Sequence, residues 1–222
     1  PQQIRSLARD MANCRSLLCV SWSLQRSDHG EQSYWMAITL AALLGQMGLP
    51  GGGFGCGYAS VQGIGNPGRQ VRWASLPQNT NPVADFIPVA RISDLLLHPG
   101  REFDYNGQRL SYPDIRLVYW AGGNPFHHQQ DLNRLLRAWQ QPETVIVNEC
   151  RWNALARHAD IVLPVTTSQE RNDIACDLRN DVIVASQQAL EPHGQARDDY
   201  AIFSGLARRL GVSAEYTEDR SV

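Results

Sequence analysis

The spacing of hydrophobic residues in the first part of the chain predicts two helices and one strand. From Gln3 to Met11, apolar residues recur at every third or fourth position, which is the helical period. The continuous apolar run from Leu17 to Trp22 predicts a short buried strand. A second helix is predicted from Gly30 to Met47. Apolar residues surround it so fully that we expect other parts of a larger protein to bury it.

A stretch without periodicity follows this helix. Residues from Gly48 to Pro88 are rich in Gly, Pro, Asn and Gln, which favours irregular structure. A short helix is predicted from Val89 to Leu97, and the segment from Tyr105 to Gln108 is typical of a β-hairpin turn. We therefore expect residues 48–113 to form a glycine-rich, irregular excursion that carries one short helix.

After Pro113, short apolar runs alternate with helical segments. The predicted strands are Ile115 to Ala121, Thr144 to Asn148, Asp160 to Leu163 and Val182 to Ala185. The predicted helices are Gln129 to Trp139, Asn153 to Arg157 and Tyr200 to Leu210. Buried strands separated by helices form parallel sheets covered on both faces. The sequence therefore predicts an α/β fold: one Rossmann-like parallel sheet, which also includes Leu17 to Trp22, with helices on both faces. The polar tail, residues 212–222, is expected to fray.

Composition and charge exclude several classes of function. The chain has 222 residues, of which 43% are hydrophobic, enough for one large domain or two small ones. The net charge is -2, so no basic surplus is present to bind nucleic acid. All 20 basic residues are Arg, which excludes a lysine Schiff base and a P-loop lysine. The apolar stretch from Trp35 to Leu49 is shorter than the roughly 20 residues that a membrane span requires.

The cysteines and the first residues indicate the cellular compartment of the protein and whether the sequence is part of a longer chain. The five cysteines are Cys14, Cys19, Cys56, Cys150 and Cys176. They include no Cys-x-x-Cys pair, so we predict neither a disulfide framework nor a zinc or iron-sulfur site, and interpret them as small buried hydrophobic side chains. Unpaired cysteines favour the cytoplasm, with the periplasm as the alternative. Pro1 opens the sequence without an initiator Met or a signal-peptide pattern, so we expect a piece of a longer protein.

Candidate ligand-binding residues follow the predicted strands, because ligands bind at the carboxyl ends of strands in open parallel sheets. Gly122-Gly123-Asn124 follows one strand and would let the backbone approach a pyrophosphate, although a plain turn fits the same pattern. Glu149 follows the next strand, where an acid commonly accepts hydrogen bonds from ribose hydroxyls. The spacing leaves a nucleotide site and a plain turn about equally favoured.

Other candidate constellations are weaker. His29, His127 and His128 have no further ligand at metal-binding spacing, so we predict no metal site. No Gly-x-Ser-x-Gly elbow surrounds a serine, which argues against a hydrolase triad. The glycines from Gly51 to Gly55 fit either a phosphate-approaching loop or a flexible connection.

Four motifs occur in a fixed order along the chain. They are Ser21 to Arg26 with His29 to Gln32, Gly48 to Gly55, Ala121 to His128 with Asp131 and Asn133, and Ala159 to Pro164 with Glu170 to Asp173. In this order they resemble the dimethyl sulfoxide reductase family of molybdopterin oxidoreductases, and within it the biotin sulfoxide and trimethylamine N-oxide reductases. The resemblance covers about Leu17 to Val212.

The resemblance implies a cofactor and its contacts. Enzymes of this family hold one molybdenum between two molybdopterin guanine dinucleotides, and this chain resembles the Rossmann-like domain that binds one of them. The residues implied to face the pterin near the metal are Trp22, Ser23 and Arg26. Those implied along the pyrophosphate and pterin are Asn124 and His128, and those implied at the guanosine are Asn148, Glu149, Arg171 and Asp199. No catalytic residue and no metal ligand is expected in this chain.

The implied function is that of one domain of a molybdenum-dependent S-oxide or N-oxide reductase, in which oxygen passes from the substrate to molybdenum. The segments that would supply the metal ligand and the second dinucleotide domain are not recognisable here. We therefore expect the isolated chain to bind the cofactor weakly at most, to hold no molybdenum and to be inactive. Its expected partners are the remaining domains of the parent chain, a small S-oxide or N-oxide, and an unknown electron donor.

Self-association is also expected, because the helix from Gly30 to Met47 and the loop from Gly51 to Gly63 carry more apolar and glycine-rich surface than solvent usually tolerates. Two alternatives stay open for the function. One is a stand-alone Rossmann-type nucleotide-binding module without catalysis, and the other is a relative of the formate dehydrogenases or nitrate reductases.

Overall fold

The computed structural model describes residues 1–27, 29–57, 71–73, 80–83, 85–177 and 181–220. The chain divides into two units. The first comprises Pro1–Ser75 with Cys176–Val182, and the second comprises Leu76–Ala175 with Ile183–Val222. Both units contain helices and strands, so the prediction of a mixed helix and strand fold is confirmed. No helix among the described residues is long and apolar enough to cross a membrane.

The first unit contains two helices and a parallel pair of strands. Its elements are α1 (Gln2–Asn13), β1 (Leu17–Val20), a 3-10 helix (Trp22–Arg26), α2 (Glu31–Leu43) and β2 (Gly53–Cys56). β1 and β2 are parallel, with Leu17 opposite Gly53 and Val20 opposite Cys56. Both predicted helices and the predicted strand are confirmed, although α2 ends at Leu43 and Trp22 begins the 3-10 helix.

The pairing of β1 differs from the prediction. β1 pairs with β2 in a two-stranded sheet of its own, so the expectation of one sheet that includes Leu17 to Trp22 is wrong for the described strands. The irregular structure predicted for this region is also wrong at β2. Two of the four residues of β2, Gly53 and Gly55, are buried glycines. Such a strand forms by backbone pairing, and its sequence lacks the alternation of apolar side chains that predicts a strand.

Gln46 holds the turn between α1 and β1. Its side chain is 8% exposed. Its Oε1 accepts a hydrogen bond from the Ser16 N–H at 2.7 Å, and its Nε2 donates to the Cys14 carbonyl at 2.7 Å. A Cβ at Gly52 would lie 3.0 Å from this Oε1, so the glycine leaves room for the side chain. A buried polar contact therefore closes this part of the first unit.

Large apolar side chains of α2 face solvent. Trp35 and Met36 are each 66% exposed, and Leu43 is 79% exposed. The expectation that this helix carries unburied apolar surface is confirmed, while self-association stays a prediction. In the loop from Gly51 to Gly63, residues 58–63 lie outside the described residues.

The second unit begins with a helix and a hairpin. A 3-10 helix (Val89–Arg91) leads into α3 (Ile92–Leu97), followed by β3 (Glu102–Tyr105) and β4 (Gln108–Ser111), which pair antiparallel. The connecting residues Asn106 and Gly107 both have positive φ, +47° and +75°. Two such residues form the tight turn whose twist matches that of a hairpin. The predicted helix and hairpin turn are confirmed.

A three-stranded parallel sheet follows the hairpin. The remaining elements are β5 (Leu117–Ala121), α4 (Pro125–His128), α5 (Leu132–Trp139), β6 (Thr144–Glu149), α6 (Ala154–Arg157), β7 (Ile161–Pro164), β8 (Asp173–Cys176), β9 (Ile183–Ser186), α7 (Asp199–Leu210) and α8 (Ser213–Thr217). The sheet has the order β5-β6-β7, with Ala121 opposite Asn148 and Glu149 opposite Pro164. Three of the predicted strands are therefore adjacent and parallel, as predicted. β9 matches the predicted strand from Val182 to Ala185, but it pairs with β8 and does not join this sheet.

One buried cluster packs against the parallel sheet. It contains Leu96, Phe126, Leu135, Ala138, Trp139, Val145, Val147 and Leu155. Val118 and Trp120 of β5 pack against this cluster, whereas the ring of Tyr119 between them lies 5.5 Å from the ring of Phe203 of α7. Successive side chains of a strand point to opposite faces, so helices lie on both faces of this sheet. Its description as Rossmann-like remains a prediction.

The end of the chain is more ordered than predicted. α7 begins after Asp198, whose side chain accepts from the Ala201 N–H, and ends at Gly211 in the left-handed region. α8 then forms within the segment predicted to fray. The stacking of Tyr216 of α8 on Tyr200 of α7, with ring centroids 5.8 Å apart, explains why this polar segment is helical.

The prediction of buried cysteines is wrong. Cys14, Cys19, Cys150 and Cys176 are exposed, and Cys56 is half-buried. Cys14 and Cys150 lie just after α1 and β6, and Cys176 ends β8, where the chain turns at the surface. Residue type alone predicts burial, but these three cysteines lie at the ends of elements, and Cys19 lies on the exposed side of β1.

Candidate functional site

A cleft of about 390 Å³ lies at the carboxyl ends of β5 and β6. We call it the strand-end cleft, and its lining includes Gly122, Gly123, Glu149, Thr166, Arg171 and Asp199. A second cleft of about 650 Å³ shares Thr166, Arg171 and Asp199 with it and extends to Gln188, Arg197 and Tyr200. We call this the adjoining cleft. Both lie in the second unit, where the carboxyl ends of parallel strands place ligands.

The turn after β5 presents an amide donor without a partner. Gly122 and Gly123 have φ of +78° and +71°, a conformation that favours glycine and exposes the backbone. Asn124 follows them and is 7% exposed. Its Oδ1 accepts from the Phe126 N–H at 3.0 Å, while its Nδ2 is buried with no hydrogen-bond partner among the described residues. An unsatisfied buried donor is costly, so this turn fits a ligand that supplies an oxygen acceptor.

Glu149 is fixed at the end of β6 by its own neighbours. One carboxylate oxygen accepts from the Cys150 N–H at 2.9 Å, and the other accepts from Nδ2 of Asn153 at 2.6 Å. Burial raises the pKa of the Cys150 thiol, and the hydrogen bond and negative charge of Glu149 raise it further. Cys150 therefore stays a protonated thiol, and Glu149 is the charged acceptor at this point of the cleft.

Arg171 is oriented where the two clefts meet. Its Nε donates to Asp173 at 2.8 Å, and its Nη1 donates to the Thr166 carbonyl at 2.7 Å. The Ile174 N–H and Arg171 both donate to Asp173 and hold the pKa of that carboxyl below its usual value. Nη2 also lies 2.8 Å from Asp173, so the oriented guanidinium has only its remaining terminal N–H groups to offer to phosphate oxygens.

The loop that carries Arg171 is closed by Glu170. Its carboxylate accepts from the Thr167 N–H at 2.8 Å and from the His193 N–H at 2.9 Å. These backbone hydrogen bonds, with the one from Thr167 the largest, lower the pKa of Glu170. The carboxylate thus stays ionised and joins two loops beside the adjoining cleft.

The side chain of Asn148 connects the sheet to α7 through two hydrogen bonds. Its Oδ1 accepts from the Tyr119 hydroxyl at 2.9 Å, and its Nδ2 donates to Oδ1 of Asp199 at 2.7 Å. Asn148 also appears in the lining of the strand-end cleft. The contact of Asn148 with a guanosine, implied by the family resemblance, stays a prediction.

The nine implied cofactor residues fall into three groups. Four of them line the strand-end cleft: Asn148, Glu149, Arg171 and Asp199. Asn124 adjoins that cleft through Gly123, and His128 is exposed at the end of α4. Trp22, Ser23 and Arg26 form part of the 3-10 helix of the first unit, where Trp22 is 51% exposed. Their role toward a pterin stays a prediction.

Two lining residues, Thr166 and Arg197, and Tyr119, which hydrogen-bonds to the lining residue Asn148, have no signal in the sequence pattern. Tyr119 reads as part of an apolar strand, Thr166 follows β7 in an ordinary loop, and Arg197 belongs to a segment without periodicity. Arg197 lies alongside β7 because its N–H donates to the Pro164 carbonyl at 3.1 Å and its carbonyl accepts from the Thr166 N–H at 3.1 Å. Only the strand-end geometry could have suggested Thr166. Within the described residues, no group of three His, Cys, Asp or Glu side chains could hold a metal ion.

Three relatives resemble this chain along almost its whole length. Biotin sulfoxide reductase from Cereibacter sphaeroides is 54% identical over 219 residues, which are 99% of this chain and 29% of that protein. Dimethyl sulfoxide/trimethylamine N-oxide reductase from the same organism is 49% identical over 233 residues, covering 99% of this chain and 28% of that protein. Trimethylamine-N-oxide reductase from Haemophilus influenzae is 46% identical over 235 residues, with the same coverages of 99% and 28%.

The relatives are enzymes, and the chain spans less than a third of the length of each. Among solved structures, acetylene hydratase from Pelobacter acetylenicus aligns with 58% of this chain and 19% of its own, at 18% identity and a TM-score of 0.41, which is too low to support an inference. The sequence model of the molybdopterin oxidoreductase family matches residues 5–209. With this match over most of its length, the chain belongs to the molybdopterin oxidoreductase family, whose members imply a molybdenum-pterin cofactor.

Proposed function

We propose that this chain is the part of a molybdenum-dependent S-oxide or N-oxide reductase that binds one molybdopterin guanine dinucleotide. The observation that carries the proposal is the turn at Gly122-Gly123-Asn124, next to a cleft lined by Glu149 and Arg171. The Nδ2 of Asn124 in this turn is buried and has no hydrogen-bond partner in the part of the chain that the structure describes. A dinucleotide offers the oxygen acceptors and hydroxyl donors that these groups complement.

Each side chain of the clefts has a proposed task that matches its chemistry. Asn124 donates its free Nδ2 to an oxygen of the ligand, and Arg171 donates to phosphate oxygens. Glu149, with both oxygens already aligned by neighbours, accepts from ribose hydroxyls. Asp199, at the start of α7, accepts from the N–H groups of guanine. His128, Trp22, Ser23 and Arg26 are proposed to act toward the pterin on the family resemblance alone.

The substrate class is proposed from the names of the relatives, which act on biotin sulfoxide, dimethyl sulfoxide and trimethylamine N-oxide. When bound, the metal centre supplies the two-electron chemistry that removes an oxygen atom from such a substrate. The residues of this chain are proposed to bind and orient the dinucleotide, and none of them is proposed as catalytic. The remaining domains of the parent protein are proposed to supply the metal ligand and the second dinucleotide site.

The alternative of a stand-alone nucleotide-binding module is less favoured. Relatives that match 99% of this chain are themselves reductases more than three times its length. A stand-alone module would also leave the exposed apolar side chains of α2 without a domain to cover them.

A nucleotide titration tests the proposal. A fluorescent GDP analogue titrated into the 222-residue chain should bind weakly and be displaced by GDP. Glu149→Ala should weaken GDP binding by about fivefold, because a ribose loses a charged acceptor. The matched control is Glu143→Ala, just before the first residue of β6, where the carboxylate pairs with Arg116 and should not affect binding.

Three results would count against the proposal in different ways. Absence of GDP binding to the unchanged chain would overturn the nucleotide site. Equal GDP affinity in Glu149→Ala would remove the ribose role of this residue and leave the family membership intact. Stoichiometric molybdenum in the purified chain, measured by elemental analysis, would overturn the view that other domains are needed to hold the metal.

A further inference from the structure

A relay of two hydrogen bonds links the half-buried phenol of Tyr119 to a carboxylate that lines both clefts. The Tyr119 hydroxyl donates to Oδ1 of Asn148 at 2.9 Å, and Nδ2 of Asn148 donates to Oδ1 of Asp199 at 2.7 Å. Asn148 is 5% exposed, so water does not compete freely for its amide. Asp199 lines the strand-end cleft and the adjoining cleft. We call this set of three residues the Tyr119 relay.

The direction of the relay follows from the chemistry of its end. A carboxylate can only accept, so the Asn148 atom facing Asp199 must be the amide nitrogen, and the carbonyl oxygen must face Tyr119. That oxygen requires a donor, which the phenol supplies. Burial raises the pKa of Tyr119 above its usual value, so the phenol keeps its proton at neutral pH. Each group in the relay thus has a single role.

The relay also fixes the helix that carries Asp199. Asp199 and Phe203 are four residues apart in α7 and therefore lie on one face of it. The ring of Tyr119 contacts Phe203, while its hydroxyl reaches Asp199 through Asn148. One side chain of the sheet therefore holds α7 by an apolar and a polar contact. Asn148 donates to Oδ1 of Asp199, and no described residue donates a side-chain hydrogen bond to Oδ2, so this oxygen is available to a ligand.

We propose that Tyr119 and Asn148 are positioning residues that make Asp199 selective for a purine with adjacent N–H donors, such as guanine, over adenine. The inference rests on the proposed function and adds the source of base selectivity to it. A carboxylate accepts from N1–H and the N2 amino group of guanine, whereas adenine presents an acceptor at N1. A carboxylate held in place cannot turn away from that acceptor, and the resulting repulsion rejects adenine.

The test compares the affinities of two nucleotides in a variant that loses one hydroxyl. Tyr119→Phe keeps the ring that packs on Phe203 and removes only the donor to Asn148. With a fluorescent GDP analogue as the probe, GDP and ADP are each used to displace it from the full chain. The variant should lose about fivefold in GDP affinity, because guanine depends on the oriented carboxylate. It should gain ADP affinity, because a carboxylate that is no longer held can turn away from the N1 acceptor of adenine. Tyr105→Phe, on the hairpin strand β3, removes the same hydroxyl elsewhere and should change neither affinity.

A double-mutant cycle shows whether the hydroxyl acts through Asp199. Asp199→Asn should lower GDP affinity by itself, and adding Tyr119→Phe to it should cause no further loss if the two groups form one relay. Additive losses would mean that Tyr119 acts elsewhere and would overturn the inference.

The outcomes separate this inference from the proposed function. If the unchanged chain prefers GDP and Tyr119→Phe keeps the same GDP-to-ADP ratio, the relay has no positioning role although the nucleotide site stands. Equal losses for both nucleotides indicate a structural role only and also overturn the inference. If the unchanged chain binds no nucleotide, the proposed function fails and the inference with it.

Discussion

The two units of this chain are stabilised by different kinds of contact. In the second unit, Leu135, Val147 and Leu155 are completely buried and belong to one apolar cluster. In the first unit, the buried residues among those described are small or polar: Gly30, Ala41, Gln46, Gly53 and Gly55. The first unit thus relies on the Gln46 hydrogen bonds and on close backbone approach. The second relies on removing large side chains from water.

Gly30 shows how close that backbone approach is. A Cβ at this position would lie 2.4 Å from the Leu24 carbonyl oxygen, so only glycine lets the start of α2 pack on the 3-10 helix. The large side chains of α2, by contrast, remain outside this packing, with Leu43 79% exposed. Apolar area buried is the main source of stability in most domains. A unit that leaves such area in solvent is typical of one that is covered in a longer protein, which agrees with the share of its relatives that this chain spans.

The largest expected effect comes from the apolar cluster of the second unit. Leu135→Ala should lower the free energy of unfolding by about 3 kcal/mol, because it removes buried methyl groups and leaves a cavity. Leu43→Ala removes the same atoms from an exposed position of α2 and should cost less than about 0.5 kcal/mol. Urea unfolding followed by circular dichroism measures both.

A large loss in Leu43→Ala would contradict the contrast between the units. It would mean that α2 is covered in solution. A second copy of the chain would then be identified as the cover if the loss grows with protein concentration, which is the behaviour expected of an associating protein. This result would confirm the self-association predicted from the sequence.

The sequence predicts the second unit better than the first for a physical reason. β5, β6 and β7 are continuous runs of Val, Ile, Leu and aromatic residues, the composition that buried parallel strands require. β2 has the sequence Gly-Phe-Gly-Cys, in which neither propensity nor alternation indicates a strand. Its existence depends on backbone pairing with β1, a contact between distant residues that no local pattern contains. The error about the sheet that includes β1 follows from this.

In the candidate site, too, the sequence pattern predicts some residues and not others. Glu149 and Asn148 could be predicted because they end a recognisable strand, and strand ends converge at one edge of a parallel sheet. Arg171 and Asp199 are indicated only by the family resemblance, since Arg171 lies in a loop without periodicity and Asp199 begins α7 on no apolar pattern. Tyr119 was missed because, in a strand, an aromatic residue usually indicates packing. Its hydroxyl matters only once Asn148 of the neighbouring strand is placed beside it.

A smaller effect is expected from the polar clamp of the first unit. Gln46→Leu keeps most of the side-chain volume but leaves the Ser16 N–H and the Cys14 carbonyl without their partner. The expected loss is about 2 kcal/mol, the cost of unsatisfied, partly buried backbone groups. Gln32→Leu at an exposed position of α2 is the control and should be nearly neutral. Thermal unfolding measured by circular dichroism compares the two variants.

If Gln46→Leu proves neutral or stabilising, the polar clamp does not stabilise the first unit. The close approach of glycine backbone at Gly30 and Gly52 would then be the main contact that remains. The second unit would still differ from the first by its buried apolar side chains, but the statement that polar hydrogen bonds stabilise the first unit would be wrong.

The second unit also has a polar contact, at the edge of its cluster. Arg134 of α5 pairs with Asp94 of α3, and Arg91 donates to the same carboxylate at 3.4 Å. Burial raises the pKa of Asp94, but the hydrogen bonds and charges of Arg134 and Arg91 outweigh it and hold the pKa below the ordinary value of 3.8. A carboxyl whose pKa is lowered by folding stabilises the folded state at pH values above the pKa it has in the unfolded chain. This contribution is lost as the pH falls through the pKa it has in the folded chain.

The smallest expected effect is therefore the one that depends on pH. Asp94→Asn should cost about 1 kcal/mol at pH near 7, because it removes a partly exposed ion pair. The difference from the unchanged chain should shrink as the pH falls below 3.8 and disappear once the pH passes the lowered pKa of the folded Asp94, where this carboxyl becomes protonated. Urea midpoints measured across this range give the difference, and Asp114→Asn at an exposed loop position is the control. If the loss in free energy of unfolding caused by Asp94→Asn stays constant with pH, Asp94 acts by packing. If this loss exceeds that of Gln46→Leu, polar contacts contribute more to the second unit than to the first.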